Sequence, residues 1–183
     1  MAYKFTQEHV SELNYRKNQD VSNAARVYAA AFRGKPWLEK WSVADARKEI
    51  ESWKQLIAEQ NGKVFVVKNR VGRVIGVGVG HVNDPEELSG SLKAKLGDGK
   101  HYYFKDVAIE RKFRKRGASS VLSAAREEHA RRLGAKSIFS RTRFDNTARI
   151  KQFEKEGMNR FHEEDHETGG VVSKRIYFRK RLR

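Results

Sequence analysis

The sequence has 183 residues but no cysteine and only two prolines. Without cysteine the chain forms no disulfide, no thiolate zinc site and no cysteine nucleophile. No apolar run approaches the roughly 20 residues of a membrane-spanning helix. The charge at Lys4 interrupts the apolar stretch that a signal peptide requires. These absences favour a cytoplasmic protein with no membrane partner.

Acidic residues are scarce relative to basic ones, and the net charge is +16. Residues 101–183 hold twice as many Lys and Arg as Asp and Glu residues. Such a field attracts an anionic cofactor or partner, so we expect weak binding of polyanions. A soluble surface rich in lysine and arginine explains the same composition without any partner.

The length and the spacing of apolar residues predict one domain over residues 1–183, as a monomer or homodimer. The predicted order is a strand, two helices, three strands, a helix, a strand, a helix and a two-stranded hairpin. Asp20 and Ser42 are the predicted caps of the first two helices, and Ile57 is placed on the inner side of the second. Alternating glycines at positions 76, 78 and 80 indicate close packing on one face of a strand. The order indicates an α/β fold.

The most informative stretch covers residues 107–122. Val107, Ala108 and Ile109 end an apolar strand, a basic turn follows, and Ser120 lies in the first turn of a helix. The basic turn consists of Arg114, Lys115, Arg116, Gly117, Ala118 and Ser119. A helix N-terminus with its backbone N–H groups is a receptor for phosphate. Three basic side chains add charge where such an anion binds.

This stretch resembles motif A of the GNAT superfamily of N-acetyltransferases, Arg/Gln-x-x-Gly-x-Gly/Ala. Arg114 and Gly117 match the motif, and Ser119 replaces its last Gly or Ala. The resemblance implies a central mixed, mostly antiparallel sheet flanked by helices, and acetyl-CoA as the cosubstrate. It further implies that residues 114–120 bind the pyrophosphate and that the backbone of residues 107–109 binds the pantetheine arm.

Residues 144–158 are similar to motif B of the same family. Asn146 and Gly157 match, whereas Phe153 replaces the tyrosine that often protonates the departing thiolate. The resemblance implies that Asn146 and Phe153 contact the cofactor. Since phenylalanine has no ionisable proton, Tyr177 on the last strand is the alternative proton donor, or else a core residue.

Asp106 precedes the segment where the family places the thioester, which makes it the best candidate for the general base. Pairing with a nearby Lys or Arg is the structural alternative. Trp37, Glu39 and Trp41 offer two ring faces and a carboxylate suited to a cationic amine acceptor. Packing between helices is the alternative for both tryptophans.

Two acidic or histidine-rich segments carry weaker signals. Asp84, Glu86 and Glu87 form a patch that either contacts a cationic acceptor or is simply a solvated loop. His162 and His166 lie four residues apart in a predicted hairpin, where that spacing does not converge on a metal. We therefore expect no metal.

The sequence thus predicts an acetyl-CoA-dependent N-acetyltransferase, in which a primary amine on a small molecule, a protein or an RNA attacks the thioester directly. The alternative is a basic nucleic-acid- or ribosome-associated module that keeps the fold with little transferase activity.

Overall fold

The computed structural model of the protein describes residues 4–83, 88–168 and 171–183. Within these residues the chain forms five α-helices and seven β-strands. In chain order they are β1 (Val10–Glu12), α1 (Asn18–Arg33), α2 (Val43–Glu59), β2 (Lys63–Lys68), β3 (Val74–Val82), α3 (Gly90–Leu96), β4 (His101–Ile109), α4 (Ala118–Arg132), β5 (Ser137–Arg143), α5 (Thr147–Lys155), β6 (Asn159–Thr168) and β7 (Val171–Arg181).

The seven strands form one sheet in the order β1-β2-β3-β4-β5-β7-β6. The ladders β1–β2, β2–β3, β5–β7 and β6–β7 are antiparallel, whereas β4 and β5 pair in parallel from His101↔Ser137 to Tyr103↔Phe139. The predicted α/β class, a mixed and mostly antiparallel sheet flanked by helices, is confirmed.

The chain divides into two compact units. Unit 1 comprises Met1–His81 and Lys105–His129. In its first apolar cluster α1 and α2 pack on one face of the strands, around the fully buried Trp53 and Ile50. In its second cluster Leu122 of α4 packs with Ile75. Both clusters hold residues of β4, so the strand end that precedes the basic turn is fixed by side chains on two faces.

Unit 2 comprises Val82–Phe104 and Ala130–Arg183. Its larger cluster buries Phe153 of α5 against Phe178 of β7, with ring centroids 5.1 Å apart. A smaller cluster places Leu92 and Leu96 of α3 against Phe139 of β5. The single-domain expectation stays a prediction.

Several element ends differ from the sequence-based expectations. Lys17, not Asp20, is the N-cap of α1. Asp20 is instead buried within the first turn and accepts a hydrogen bond from Lys68 Nζ at 2.8 Å. Ser42 does cap α2, because its Oγ accepts the Asp45 N–H at 3.0 Å. The inner placement of Ile57 was wrong, since its side chain is exposed.

The connection between β3 and β4 contains the short helix α3. Ser89 caps this helix by accepting the Leu92 N–H at 3.4 Å. The acidic patch of Asp84, Glu86 and Glu87 lies outside the described residues. None of the helices in the described ranges has the length and apolarity that crossing a membrane requires.

Candidate active site

A short connection joins the end of β4 to the basic turn. Arg111–Phe113 forms a short 3-10 turn, and Arg114 folds back so that its Nε donates to the Ile109 carbonyl at 3.0 Å. Partial burial, and then the charge of Arg111, lower the pKa of Arg114 below its ordinary value. Arg114 therefore fixes the path of the turn as well as adding charge to it.

Left-handed backbone shapes the rest of the turn. Lys115 has a φ of 60° and Gly117 a φ of 86°. Phe5 holds the turn from the N-terminal segment, since its N–H donates to the Arg116 carbonyl at 2.9 Å. A Cβ at Gly117 would lie 3.4 Å from the Phe5 carbonyl oxygen. Glycine is thus favoured here by backbone conformation and by the closeness of a second chain segment.

The start of α4 completes the turn. Val121 is the residue whose N–H bonds back to the Gly117 carbonyl, at 3.1 Å. The preceding N–H groups, of Ala118, Ser119 and Ser120, belong to the first helical turn, which has no intrahelical acceptors. Lys115 and Arg116 are exposed beside them. The arrangement is that of an anion receptor, with the donors and the cations in one segment.

Asp106 lies on β4 three residues before the strand ends, and its side chain is partly buried. Its Oδ2 accepts a hydrogen bond from the Tyr28 hydroxyl of α1 at 3.2 Å. Burial, followed by the negative charges of Asp106, Glu49 and Glu39, raises the pKa of Tyr28 above its ordinary value. Tyr28 is therefore a neutral donor that stabilises the charged form of Asp106.

Glu49 of α2 is bound from two sides in the same unit. Its Oε1 accepts from Trp53 Nε1 at 2.9 Å and from Lys105 Nζ at 3.0 Å. Burial would raise the pKa of Glu49, but the Lys105 charge and these two bonds bring it below its ordinary value. Lys105, the residue before Asp106, is thus paired with the Glu49 carboxylate.

The structure brings the predicted acceptor residues towards Tyr28. Trp41 Nε1 donates to Glu39 Oε2 at 2.6 Å, and the Trp41 ring lies edge-on to Tyr28 at 5.1 Å between centroids. Trp37 packs on Phe32 at 5.4 Å. Both tryptophans are half-buried against the α1–α2 cluster, so they pack as well as presenting an edge. Glu39 itself is exposed.

The strand, the basic left-handed turn and the helix start all lie within a part of the sequence that matches a known protein family. Residues 24–158 fit the sequence model described as the acetyltransferase (GNAT) family. The chain belongs to the GNAT family of acetyltransferases. It is accordingly an acyltransferase, and the motif A resemblance is confirmed at the level of the family.

Solved structures share the fold of this GNAT chain at low sequence identity. The crystal structure of the NatC complex bound to Gag peptide and CoA matches with a TM-score of 0.68 and 15% identity, covering 95% of this chain and 98% of that one. The ribosomal-protein-alanine N-acetyltransferase of Brucella melitensis matches with a TM-score of 0.68 and 14% identity over 94% and 99%.

A third structure, of the putative acetyltransferase yncA from Salmonella typhimurium with its cofactor acetyl-CoA, matches with a TM-score of 0.66 and 14% identity over 95% and 93%. At these identities the likeness concerns the fold. No curated protein sequence matches the chain.

The motif B residues of the GNAT chain lie in unit 2. Asn146 caps α5, where its side chain accepts the Arg149 N–H at 3.3 Å and donates to Thr142 Oγ1 at 3.1 Å. Phe153 is fully buried, with the Arg149 guanidinium over its ring at 4.1 Å. Capping and packing account for both side chains, and their cofactor contacts stay predictions.

Tyr177, the alternative proton donor, is buried in a polar network of unit 2. Its hydroxyl donates to Glu164 Oε1 and accepts from Arg141 Nη1 at 3.3 Å. Burial, and then the bond to Glu164, raise the pKa of Tyr177 to about 12. His162 is also bound to Glu164, at 3.4 Å from Nε2 to Oε2. In the described part of the chain no three His, Asp or Glu residues are grouped as metal ligands.

Sequence reasoning missed two contacts of Asp106: the Tyr28 hydroxyl donates to its side chain at 3.2 Å, and Arg126 Nη1 of α4 donates to its backbone carbonyl at 3.2 Å. Tyr28 lies on the apolar face of α1, and helical periodicity does not indicate where the hydroxyl of such a residue points. Arg126 did leave a signal, since it follows Ala118 and Leu122 at intervals of four on the buried face of α4. A charged residue is rarely fully buried unless its charge is paired or hydrogen-bonded.

Proposed function

We propose that the chain is an acetyl-CoA-dependent N-acetyltransferase that transfers the acetyl group to a primary amine by direct attack on the thioester. The observation that carries the proposal is the basic turn, where a strand end, a left-handed Gly117 and a helix start combine donors with cations. Family membership and the acetyl-CoA or CoA named for two solved neighbours support the same cosubstrate.

The cosubstrate fits the residues of the turn. Its pyrophosphate needs several N–H donors and positive charge, which residues 114–120 supply together. Its neutral pantetheine arm needs backbone partners, and residues 107–109 are the strand end that leads into the turn. The two needs are met by one continuous segment, as the motif A resemblance requires.

The proposed reaction needs one proton acceptor. The amine nitrogen bonds to the thioester carbonyl carbon and gives up a proton, the carbon–sulfur bond breaks, and the CoA thiolate takes up a proton. Asp106, directly or through a water, accepts the amine proton. The Tyr28 hydroxyl at 3.2 Å keeps this carboxylate charged and oriented. Phe153 offers no proton to the thiolate, which leaves Tyr177 or water for that step.

The acceptor is an amine recognised by carboxylates and rings. Glu39 is bound by Trp41, whose ring packs edge-on against Tyr28, so the three side chains form one connected series. Within a chain of net charge +16, such a local acidic group is what allows a cationic amine to approach. Two neighbours named for a bound peptide and for a ribosomal-protein alanine make a peptide N-terminus the first acceptor to test.

Replacement of Gly117 tests the phosphate site. Gly117→Asp places a carboxylate among the proposed phosphate donors, so acetyl-CoA binding should be abolished in isothermal titration calorimetry. Gly117→Ala shares the backbone strain at φ 86° but adds no charge, and it should weaken binding far less. An Asp variant that folds and binds acetyl-CoA as tightly as the Ala variant would show that the phosphate lies elsewhere.

A further inference from the structure

One arginine of unit 1 is fully buried. Arg126 of α4 has 0% exposure, and its Nε donates within the helix to the Leu122 carbonyl at 3.3 Å. Its Nη2 donates to Ser123 Oγ at 3.4 Å. Withdrawing a guanidinium from water is costly unless partners satisfy it. Leucine at this core position would bear no such desolvation cost, so the buried cation calls for an explanation.

The Arg126 guanidinium reaches two neighbouring strands. Its Nη1 donates to the Val79 carbonyl of β3 at 3.3 Å and to the Asp106 carbonyl of β4 at 3.2 Å. The same nitrogen thus joins the two strands, and on β4 it binds the residue that carries the candidate base. β4 also departs here from alternating burial, since three successive residues, 105–107, are all partly buried.

Gly78 provides the space for this side chain. A Cβ at Gly78 would lie 3.4 Å from both Cζ and Nε of Arg126. The alternating glycines of β3 were expected to admit something close on one face, and at position 78 the guanidinium is what they admit. Two separate sequence features, a glycine in a strand and an arginine on a buried helix face, are explained by a single contact.

The effect on β4 follows from peptide geometry. The Asp106–Val107 bond is trans, so its C=O and N–H point in opposite directions. While the carbonyl is bound to Arg126, the Val107 N–H points away from the guanidinium. Donation to the carbonyl also polarises the peptide and strengthens its N–H as a donor. Val107 begins the segment assigned to acetyl-CoA.

We propose that Arg126 is a positioning residue that holds the Asp106–Val107 peptide so that the Val107 N–H binds the thioester oxygen of acetyl-CoA. The inference rests on the proposed function, because it requires acetyl-CoA along residues 107–109. The developing negative charge on that oxygen is best stabilised by a donor whose direction is already fixed. Because its side chain is fully buried, Arg126 acts on the thioester through this peptide and not by direct contact.

Carbon-13 NMR of acetyl-CoA labelled at the thioester carbonyl tests this role without an acceptor. A strong donor to the carbonyl oxygen moves the carbon resonance downfield in the complex. We expect this shift in the natural protein, and Arg126→Met should lose most of it while calorimetry shows an acetyl-CoA affinity within about threefold, since the pyrophosphate contacts remain. Arg126→Lys should restore part of the shift.

Arg132→Met is the matched control, because Arg132 is an exposed arginine on the same helix; it should keep the full shift. Gly78→Val provides a second test that retains the charge. A Cβ at position 78 would already be in contact with Cζ and Nε of Arg126 at 3.4 Å, so the two further methyl groups of valine need the space that the guanidinium occupies. This variant should reduce the shift, and it tests the inference even if Arg126→Met does not fold.

Two results would overturn the inference, and they are distinguishable. A full shift in folded Arg126→Met, or in folded Gly78→Val, would reduce Arg126 to a packing residue while leaving the proposed function intact. Failure of the natural protein to bind acetyl-CoA would remove the proposed function first, and this inference with it.

Discussion

At the scale of single residues, the contact between Tyr28 and Asp106 makes the clearest prediction about chemistry. If Asp106 receives the amine proton, Asp106→Asn should lower the turnover of acetyl-CoA with an alanine-terminated peptide by about 100-fold. Acetyl-CoA affinity should be unchanged, because the pyrophosphate site is intact. Thiol release and calorimetry measure the two quantities separately.

Tyr28→Phe refines the same prediction through pH. The lost hydrogen bond stabilised the charged carboxylate, so the pKa of Asp106 should rise and the acidic limb of the pH–rate profile should move to higher pH. Tyr15→Phe is the control, since the Tyr15 hydroxyl donates to the Ile50 carbonyl at 3.0 Å and not to a carboxylate. An acidic limb that moves equally in both variants would exclude Asp106 as the titrating group.

The candidate site was only partly predictable at this scale. The basic turn was readable because Gly117 and its cations follow one another in the sequence. The Tyr28–Asp106 and Arg126–Asp106 contacts join residues 78 and 20 positions apart. Such contacts depend on how helices pack on strands, which local pattern does not specify.

At the scale of elements, His101 joins three segments of unit 2. Its Nε2 donates to the Gly97 carbonyl after α3 at 3.0 Å, and its Nδ1 accepts from Ser137 Oγ of β5 at 2.8 Å. A carbonyl only accepts, which assigns the proton to Nε2. Burial first, and then the charges of Arg179 and Lys136, lower the pKa of His101 below its usual value, although the Gly97 bond opposes them.

This lowered pKa predicts acid sensitivity of unit 2. Because the unfolded chain binds the His101 proton more readily, the stability contribution is complete above about pH 6.5 and is lost as the pH falls below it. The slope is at most about 1.4 kcal/mol per pH unit. Urea unfolding at pH 7.5, 6.5 and 5.5 should show a free-energy gap between the natural protein and His101→Gln that narrows towards low pH. A gap independent of pH would contradict the assignment.

Element order followed from sequence more closely than element ends did. β2 (Lys63–Lys68) is easily located in the sequence, because two lysines flank an uninterrupted apolar run. The start of α1 was misplaced because Asp20, a residue typical of N-caps, pairs instead with Lys68 from another element. A long-range ion pair thus outweighed a local capping preference.

At the scale of the whole molecule, the charge of +16 is the property that packing does not explain. Part of it serves the structure, since cations bind backbone carbonyls at the ends of helices. Lys100 Nζ donates to the Leu133 carbonyl at 2.9 Å and Arg179 Nη1 to the Lys95 carbonyl at 2.9 Å. Cations near helix C-termini are stabilising, yet their charge still adds to the field that attracts anions.

Salt dependence separates a cosubstrate site from a polyanion surface. A nucleic acid held by several phosphate contacts should lose affinity on the order of a thousandfold between about 50 and 200 mM salt. Acetyl-CoA carries few charges and also uses backbone hydrogen bonds, so its affinity should fall far less. We expect clear acetyl-CoA binding by calorimetry and only weak RNA binding by fluorescence anisotropy.

Replacing Arg131 and Arg132 by alanine should weaken RNA binding further and spare acetyl-CoA, because both lie in the last turn of α4, at the end opposite the basic turn. Tight, salt-sensitive RNA binding without detectable acetyl-CoA binding would instead make the chain a nucleic-acid-binding module that retains the GNAT fold.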